Sequence, residues 1–366
     1  MAEATVTQLA RDLVEIPSHE NERRAGDYIE AWLHDHTDAA VERDPYGNVL
    51  ARRGTPAGDG TDDSPTLALV GHHDVVPPDE RQRDGDEYVV ERRDGRLYGR
   101  GAADMKGAVA AAILAFRDVD HPGLVFASFV GEEVGGHGAR AAIEDGFAPD
   151  YAVVGEGSTG YSAPGVTDVA VAHKGRRAST LVAEGVAAHA SEPEQGENAI
   201  YRAADAIAAL QELPVPETTV LGRDLQGSLV VTEIKGGSAW NVVPERCTVT
   251  VDERTVPGER APLDSLTGVR WELDQDLPPM ACRDERFAES VLAAAREAQD
   301  GRPDGVVKPH ATDAGWLAEA GTTCVVCGPA EQGEAHTATE SVSLAALDRC
   351  REIYRRTAER VLGWRS

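Results

Sequence analysis

Side chains able to bind a metal recur at one kind of place in this sequence, just past a short apolar run that ends in glycine. Leu67-Ala68-Leu69-Val70-Gly71 is followed by His72, His73 and Asp74. The run Leu124 to Val130, closed by Gly131, is followed by Glu132 and Glu133. Tyr151-Ala152-Val153-Val154-Gly155 leads into Glu156, and His336 comes shortly after the run Cys324 to Cys327 and Gly328. Asp104 stands at the mouth of a helix that begins Met105-Lys106-Gly107. Singly, each has a plain use: Asp104 is a good helix N-cap, Glu132-Glu133 a solvated loop, a lone histidine a structural one. Together they converge. Two imidazoles and several carboxylates, with no cysteine in reach, suit zinc, cobalt or manganese. At least three carboxylates with two imidazoles exceed what one tetrahedral ion takes. They suit two ions that share a carboxylate, an arrangement used for hydrolysis. Adjacent Glu132 and Glu133 would then divide the work, one as ligand and one holding the bridging water.

The elements that must position these groups follow from the apolar pattern. Continuous apolar runs of this length, separated by helical stretches such as Ala108 to Phe116, read as buried parallel strands of an α/β layer. Ligands in such sheets bind beyond the carboxyl ends of the strands, where all these groups fall. Leu9, Leu13, Ile16, Ile29 and Leu33 suggest two opening helices around a Pro17-Ser18-His19 break. The middle of the chain differs. Ala178 to Ala183, Ser228 to Ile234 and Cys247 to Arg254 alternate apolar with polar, as strands with one wet face do, and a helix, Asn198 to Leu213, lies among them. Phe287 to Ala298 and Leu344 to Val361 return to amphipathic helix. The expected architecture is an α/β catalytic domain, residues 1–171 and 278–366, with a mostly parallel sheet flanked by helices. Inserted into it, residues 172–277 would form an α+β domain with an antiparallel sheet. Thr55 to Ser64 and Pro257 to Leu263 read as surface loops.

Composition narrows the function classes. The chain has 366 residues, 41% hydrophobic, enough for two cored domains. Its 36 basic residues against 63 acidic ones leave a net charge of −27, which repels phosphate backbones and anionic membranes. Neither nucleic acid nor membrane is an expected partner, and no apolar stretch approaches the roughly 20 residues that span a bilayer. Lys106, Lys174, Lys235 and Lys308 are the four lysines; every other base is arginine. Acidic excess with lysine depleted suggests a protein kept soluble in high salt. Five scattered cysteines, with Cys324 and Cys327 inside an apolar strand, suggest buried thiols in a reducing, cytoplasmic setting.

The motif wording adds a resemblance. Gly71-His72-His73-Asp74-Val75-Val76-Pro77, the run Tyr98-Gly99-Arg100-Gly101-Ala102-Ala103-Asp104-Met105-Lys106-Gly107, then Gly131-Glu132-Glu133 and Val154-Gly155-Glu156, resemble the co-catalytic metallohydrolases of the M20 family, closest to its desuccinylase and acetylornithine deacetylase branch. The resemblance implies that His72, Asp104 and Glu156 hold one divalent metal ion and Asp104, Glu133 and His336 another, with Asp104 bridging; zinc is expected, cobalt and manganese being the alternatives. It implies that Asp74 orients the His72 imidazole and that Glu132 is the general base. His73 has no family role and reads as structural.

The inserted domain, by the same resemblance, is a lid that also makes a homodimer. His189, in Ala188-His189-Ala190, would stabilise the tetrahedral oxyanion, in its own or a neighbouring subunit's site. Asn241 and Arg254 match positions that grip a substrate carboxylate, with a surface ion pair the other reading of Arg254. Thr312 falls at a substrate loop, but the chain has His310-Ala311-Thr312-Asp313-Ala314 where desuccinylases have Thr-Ser-Asp-Gly, and it lacks the proline usual after Glu156. The implied substrate is a small acylated amino acid. N-succinyl-diaminopimelate, in lysine biosynthesis, is the first expectation. N-acetylornithine, an N-acetyl-lysine-type compound, and a dipeptide or carboxypeptidase substrate are the alternatives, and a non-catalytic binding protein is a further one.

Overall fold

This computed structural model describes residues 5–54 and 65–364. The loop expected at Thr55–Ser64 lies outside them. The chain forms two compact units: one comprises 1–172, 281–308 and 312–366, the other 173–280 and 309–311.

The first unit opens with α1 (Val6–Val14), capped by the Thr5 side chain accepting the Gln8 N–H, and α2 (Arg23–His36). Then come β1 (Ala40–Arg43), β2 (Val49–Arg52) and β3 (Leu67–His72), followed by α3 (Gly107–Asp118), β4 (Leu124–Phe129), α4 (His137–Glu144), β5 (Tyr151–Val154) and β6 (Val169–His173). Within the second unit run β7 (Gly175–Glu184), α5 (Ala199–Gln211), β8 (Ser228–Gly236), β9 (Arg246–Thr255) and β10 (Arg270–Leu277). The chain returns through β11 (Met280–Ala281), α6 (Glu285–Glu297), β12 (Gly305–Lys308), α7 (Asp313–Glu319), β13 (Thr323–Val326) and α8 (Leu344–Leu362).

Among the described residues, nine strands make the larger sheet, in the order β1-β2-β4-β3-β5-β13-β6-β11 with β12 pairing β6. Its centre, β4-β3-β5-β13, is parallel, and antiparallel strands extend both sides. The four continuous apolar runs of the sequence are these four central strands. All residues of β3 and β4 are buried, because helices cover both faces of a parallel sheet and leave no wet side to alternate with. Helix α3 is buried from Gly107 to Phe116; it packs on β3 and β4 and also on α1 and α8, and so is apolar all round. Gly71 lets it come close: a Cβ there would lie 2.8 Å from Val109 Cγ2.

The second unit holds a four-stranded antiparallel sheet, β8-β9-β7-β10. Burial alternates along β7 and β9, and their inward residues Leu181, Ala183, Cys247, Val249 and Val251 pack on Ala199, Ala203 and Leu210 of α5. The strand β10 (Arg-Trp-Glu-Leu-Asp-Gln-Asp-Leu) was not anticipated, since charged side chains fill an edge strand with little burial. Pro257 to Leu263 is not a simple surface loop either. Ala261 and Leu263 are buried, and the Ala261 carbonyl accepts the Arg177 guanidinium.

Candidate metal centre

The ends of the parallel strands bring the expected groups together. His72 is the last residue of β3. Glu132 and Glu133 follow β4, Glu156 follows β5, and Asp104 sits in the turn before α3, where Gly101 takes a left-handed conformation (φ 86°) and the Asp104–Met105 peptide is cis. His336 comes from the loop after β13.

Asp104 faces both histidines. Its Oδ1 is 3.1 Å from His72 Nε2 and its Oδ2 3.1 Å from His336 Nε2. His72 Nε2 is also 3.3 Å from Glu156 Oε1, and His336 Nε2 3.1 Å from Glu133 Oε1. Glu132 stands further off, its Oε2 4.0 Å from His72 Nε2. The donors form two groups, His72/Glu132/Glu156 and Asp104/Glu133/His336, each with ligand atoms within 4.8 Å of one another. Tetrahedral ligands about 2.0–2.1 Å from a zinc ion lie about 3.3 Å from each other. The four short pairs match that spacing and Glu132 does not.

The donors are of the types that hold divalent cations, and among the described residues Asp104 alone presents one oxygen to each histidine. Electrostatics agrees: Asp104, Glu132, Glu133 and Glu156 crowd together around the imidazoles, with Lys308 beside Glu156. Divalent ions would neutralise that charge.

Neighbours hold several of the candidate ligands. Asp74 Oδ1 lies 3.3 Å from His72 Nδ1, and the Asp74 carbonyl 3.1 Å from the same nitrogen, which turns Nε2 to the centre. Asp74 Oδ2 accepts the Glu133 N–H at 3.0 Å. His336 itself has φ 64°, a left-handed conformation that costs a non-glycine residue about 1–3 kcal/mol. Its loop is pinned by Arg96, which bonds Glu331 Oε2 at 2.7 Å, Glu334 Oε1 at 2.9 Å and the Ser341 hydroxyl at 2.9 Å. His73 is buried and turns to the Ser128 hydroxyl at 2.8 Å.

The proton affinities follow from this crowding. Burial disfavours a charged His72, but the nearby Asp74 charge and the hydrogen bonds of His72 to Asp104, Asp74 and Glu156 hold its pKa well above the imidazole range. Burial likewise opposes charge on Asp104, yet the hydrogen bonds from His336 and His72 hold its carboxyl well below the usual range. Glu132 goes the other way. Burial, together with nearby Asp313, Glu156 and Asp104, outweighs His72 and pushes its pKa far up. His336 is pushed up to about 10 by its hydrogen bonds to Asp104 and Glu133.

The remaining expected residues are placed as follows. Thr312 is buried and caps α7, its hydroxyl accepting the Ala314 N–H at 3.2 Å. His189, Asn241 and Arg254 belong to the second unit. There His189 pairs with Val242, the Ala190 N–H bonds the Asn241 carbonyl, and the exposed His189 ring meets the Ser191 hydroxyl at 2.6 Å. Arg254 Nε bonds Asp252 Oδ1 at 2.8 Å, while Arg176 holds the other oxygen at 2.7 Å.

Two residues escaped sequence reasoning. Lys308 donates to Glu156 Oε2 at 3.1 Å; although burial opposes its charge, Glu156 keeps its pKa raised. Glu340 receives the backbone N–H groups of Ala103 and Asp104 at 2.9 and 3.1 Å. The rarity of lysine was the available signal for the first. For the second it was position alone, four residues past His336.

A family profile described as peptidase family M20/M25/M40 matches residues 68–360. The acetylornithine deacetylase of Myxococcus xanthus is 31% identical, over 90% of this chain and 87% of its own. The succinyl-diaminopimelate desuccinylase of Acidiphilium cryptum (strain JF-5) is 29% identical, over 99% of this chain and all of its own, 100%. Among solved structures, aminopeptidase PepT from Bacillus cereus ATCC 10987 shares the fold, with a TM-score of 0.79 at 21% identity over 97% of this chain and 98% of that one. A profile match across most of the chain and a relative above 30% identity along nine-tenths of it place this protein in peptidase family M20/M25/M40, as a metal-dependent hydrolase.

Proposed function

We propose that this hydrolase removes an N-acyl group from an amino acid, with N-succinyl-diaminopimelate as substrate and lysine biosynthesis as its setting. The observation that carries the hydrolytic reading is the sharing of the Asp104 carboxylate between His72 and His336, each at 3.1 Å. Likeness to a desuccinylase along 99% of the chain supports the acyl group. N-acetylornithine is the second reading, favoured by the 31% identical deacetylase.

His72, Asp104 and Glu156 would hold one ion and Asp104, Glu133 and His336 the other, zinc being the proposed metal, with cobalt or manganese as alternatives. Bound there, divalent cations supply Lewis acidity, polarising the scissile carbonyl and lowering the pKa of a water toward about 7. Glu132, its Oε2 4.0 Å from His72 Nε2 and so outside ligand spacing, would take the water's proton as the carbonyl carbon is attacked and deliver it to the leaving nitrogen. Asp74 keeps His72 Nε2 aimed at the centre. His189 is proposed for the oxyanion, and Asn241, Arg254 and Thr312 for the substrate's polar groups.

A second copy is proposed to pair through the second unit. Among the described residues, edge strand β8 has one unpaired side, and Val230, Ile234 and Tyr201 are 51%, 51% and 70% exposed. A cytoplasmic setting suits the five buried, unpaired cysteines. None of the described helices is long and apolar enough to cross a membrane.

The deciding assay compares kcat/KM on N-succinyl-diaminopimelate, N-acetylornithine and an Ala-Gly dipeptide. The succinyl compound should be the best substrate. Turnover of the dipeptide with neither acylated amino acid cleaved would overturn the proposal.

A further inference from the structure

The two oxygens of Glu156 do different things. Oε1 faces His72 Nε2 at 3.3 Å. Oε2 is taken by the Lys308 ammonium at 3.1 Å, and the same Nζ also bonds the Gly157 carbonyl at 3.0 Å. The Lys308 side chain is 7% exposed, so this pair is shielded from competing water.

The residue type matters here. Of the chain's 36 basic residues only four are lysines, Lys308 among them. A guanidinium presents a planar fork that engages both oxygens of a carboxylate at once. An ammonium is a compact point charge and can hold one oxygen while leaving the other free. In a chain that uses arginine almost everywhere else, lysine at this position keeps Oε1 available.

We infer that Lys308 is a positioning residue acting through Glu156: it holds Oε2, so that Glu156 offers Oε1 alone to the cation on the His72 side, and its charge weakens that carboxylate as a donor. This inference rests on the two-cation reading above. The cation on that side is then bound less tightly than its acidic surroundings would otherwise dictate, and it keeps more of its electrophilicity for the substrate.

Cobalt(II) titration of the full-length, chelator-treated protein tests this through stepwise affinity and visible absorption, without recourse to turnover. Lys308→Met frees both oxygens of Glu156. With a neighbouring positive charge removed, one of the two binding steps should tighten by about 10-fold, and its absorptivity should fall as the coordination number rises. Lys308→Arg places a fork on the carboxylate, and the same step should weaken by about 10-fold while the other step stays unchanged. A merely structural lysine would instead weaken both steps in both variants, or leave both unaltered; either result overturns the inference. Lys308→Arg keeps the buried charge paired, so its result decides the matter even where Lys308→Met does not fold. A wild-type protein that takes up no cobalt overturns the two-cation reading and this inference with it. Wild-type uptake with both variants indifferent removes only the role of Lys308.

Discussion

Arg100 and Glu340 form a buried ion pair, Nη1 to Oε2 at 2.5 Å, and the other oxygen of Glu340 receives the backbone N–H groups of Ala103 and Asp104. The side chains are 4% and 0% exposed. Glu340 thus holds the turn that aims Asp104 at both histidines. Removing one partner of such a pair leaves an uncompensated buried charge, a loss of about 3–5 kcal/mol. Glu340→Ala should therefore lower unfolding free energy in urea by that order and reduce metal content per chain. Retention of both stability and metal would show that the Asp104 turn stands without it.

Glu132 is proposed as the base rather than a ligand. Its carboxylate lies 4.0 Å from His72 Nε2, against 3.1 and 3.3 Å for Asp104 and Glu156. Glu132→Gln should then keep both metals, while kcat falls by about 10²–10⁴-fold. Metal analysis beside steady-state kinetics checks this. Loss of one metal equivalent would make Glu132 a ligand, and undiminished turnover would remove it as the base.

Much of this centre was legible because its scaffold has a strong pattern. Parallel strands buried on both faces read as unbroken apolar runs, and ligands at their carboxyl ends are a consequence of topology; His72, Glu132, Glu133 and Glu156 all follow such runs. The supporting shell was not legible. Arg100 and Glu340 are 240 positions apart, Glu156 and Lys308 152, and a buried pair so distant leaves no local periodicity. Among 63 acidic residues a single glutamate carries no signal. Strand β10 escaped for a related reason: an edge strand rich in charge lacks the alternation that a wet-faced inner strand shows.

Metal uptake should release protons. Without metal, His336 stays protonated up to about pH 10, held by Asp104 and Glu133. A cation binds imidazole only in its neutral form. Below that pH each binding event on the His336 side must expel a proton, so affinity rises as pH rises, by up to about tenfold per unit for one proton. It levels off once pH passes the metal-free pKa. Calorimetric titration with zinc in two buffers of different ionisation enthalpy reads the protons directly; equal heats in both would contradict the linkage.

The thiols should be inert. Burial pushes the Cys282 thiol up to about 11 and that of Cys350 up to about 12, and Cys324 and Cys327 are also raised well above the usual range by burial. At pH 8 a thiol with pKa near 11 is ionised in about one molecule per thousand. A thiol reagent should leave the native protein unlabelled and fully active, and should find all five cysteines after guanidinium is added. Rapid labelling of native Cys324 or Cys327 with loss of activity would point to a redox role for that pair.

Salt should stabilise the fold, and two opposed effects decide how far. Partly exposed pairs lose strength in salt, among them Arg356 and Arg360 with Glu297 at 2.8 and 2.5 Å, and Arg355 and Arg356 with Glu352 at 2.7 and 2.5 Å. Each such pair contributes about 0.2–1 kcal/mol at most. Against them stands the mutual repulsion of a chain whose 63 acidic residues outnumber its 36 basic ones, for a net charge of −27. Bound divalent ions would neutralise only the few carboxylates at the centre, so most of that charge remains on the surface. At 1 M salt the screening length shrinks to about 3 Å, and repulsion summed over dozens of carboxylates at longer range is lost more completely than contact pairs are. Melting temperature and activity should therefore climb together from dilute buffer to molar potassium chloride. A protein already fully stable and active in dilute buffer, or one that melts earlier as salt is added, would show that the contact pairs outweigh the excess charge.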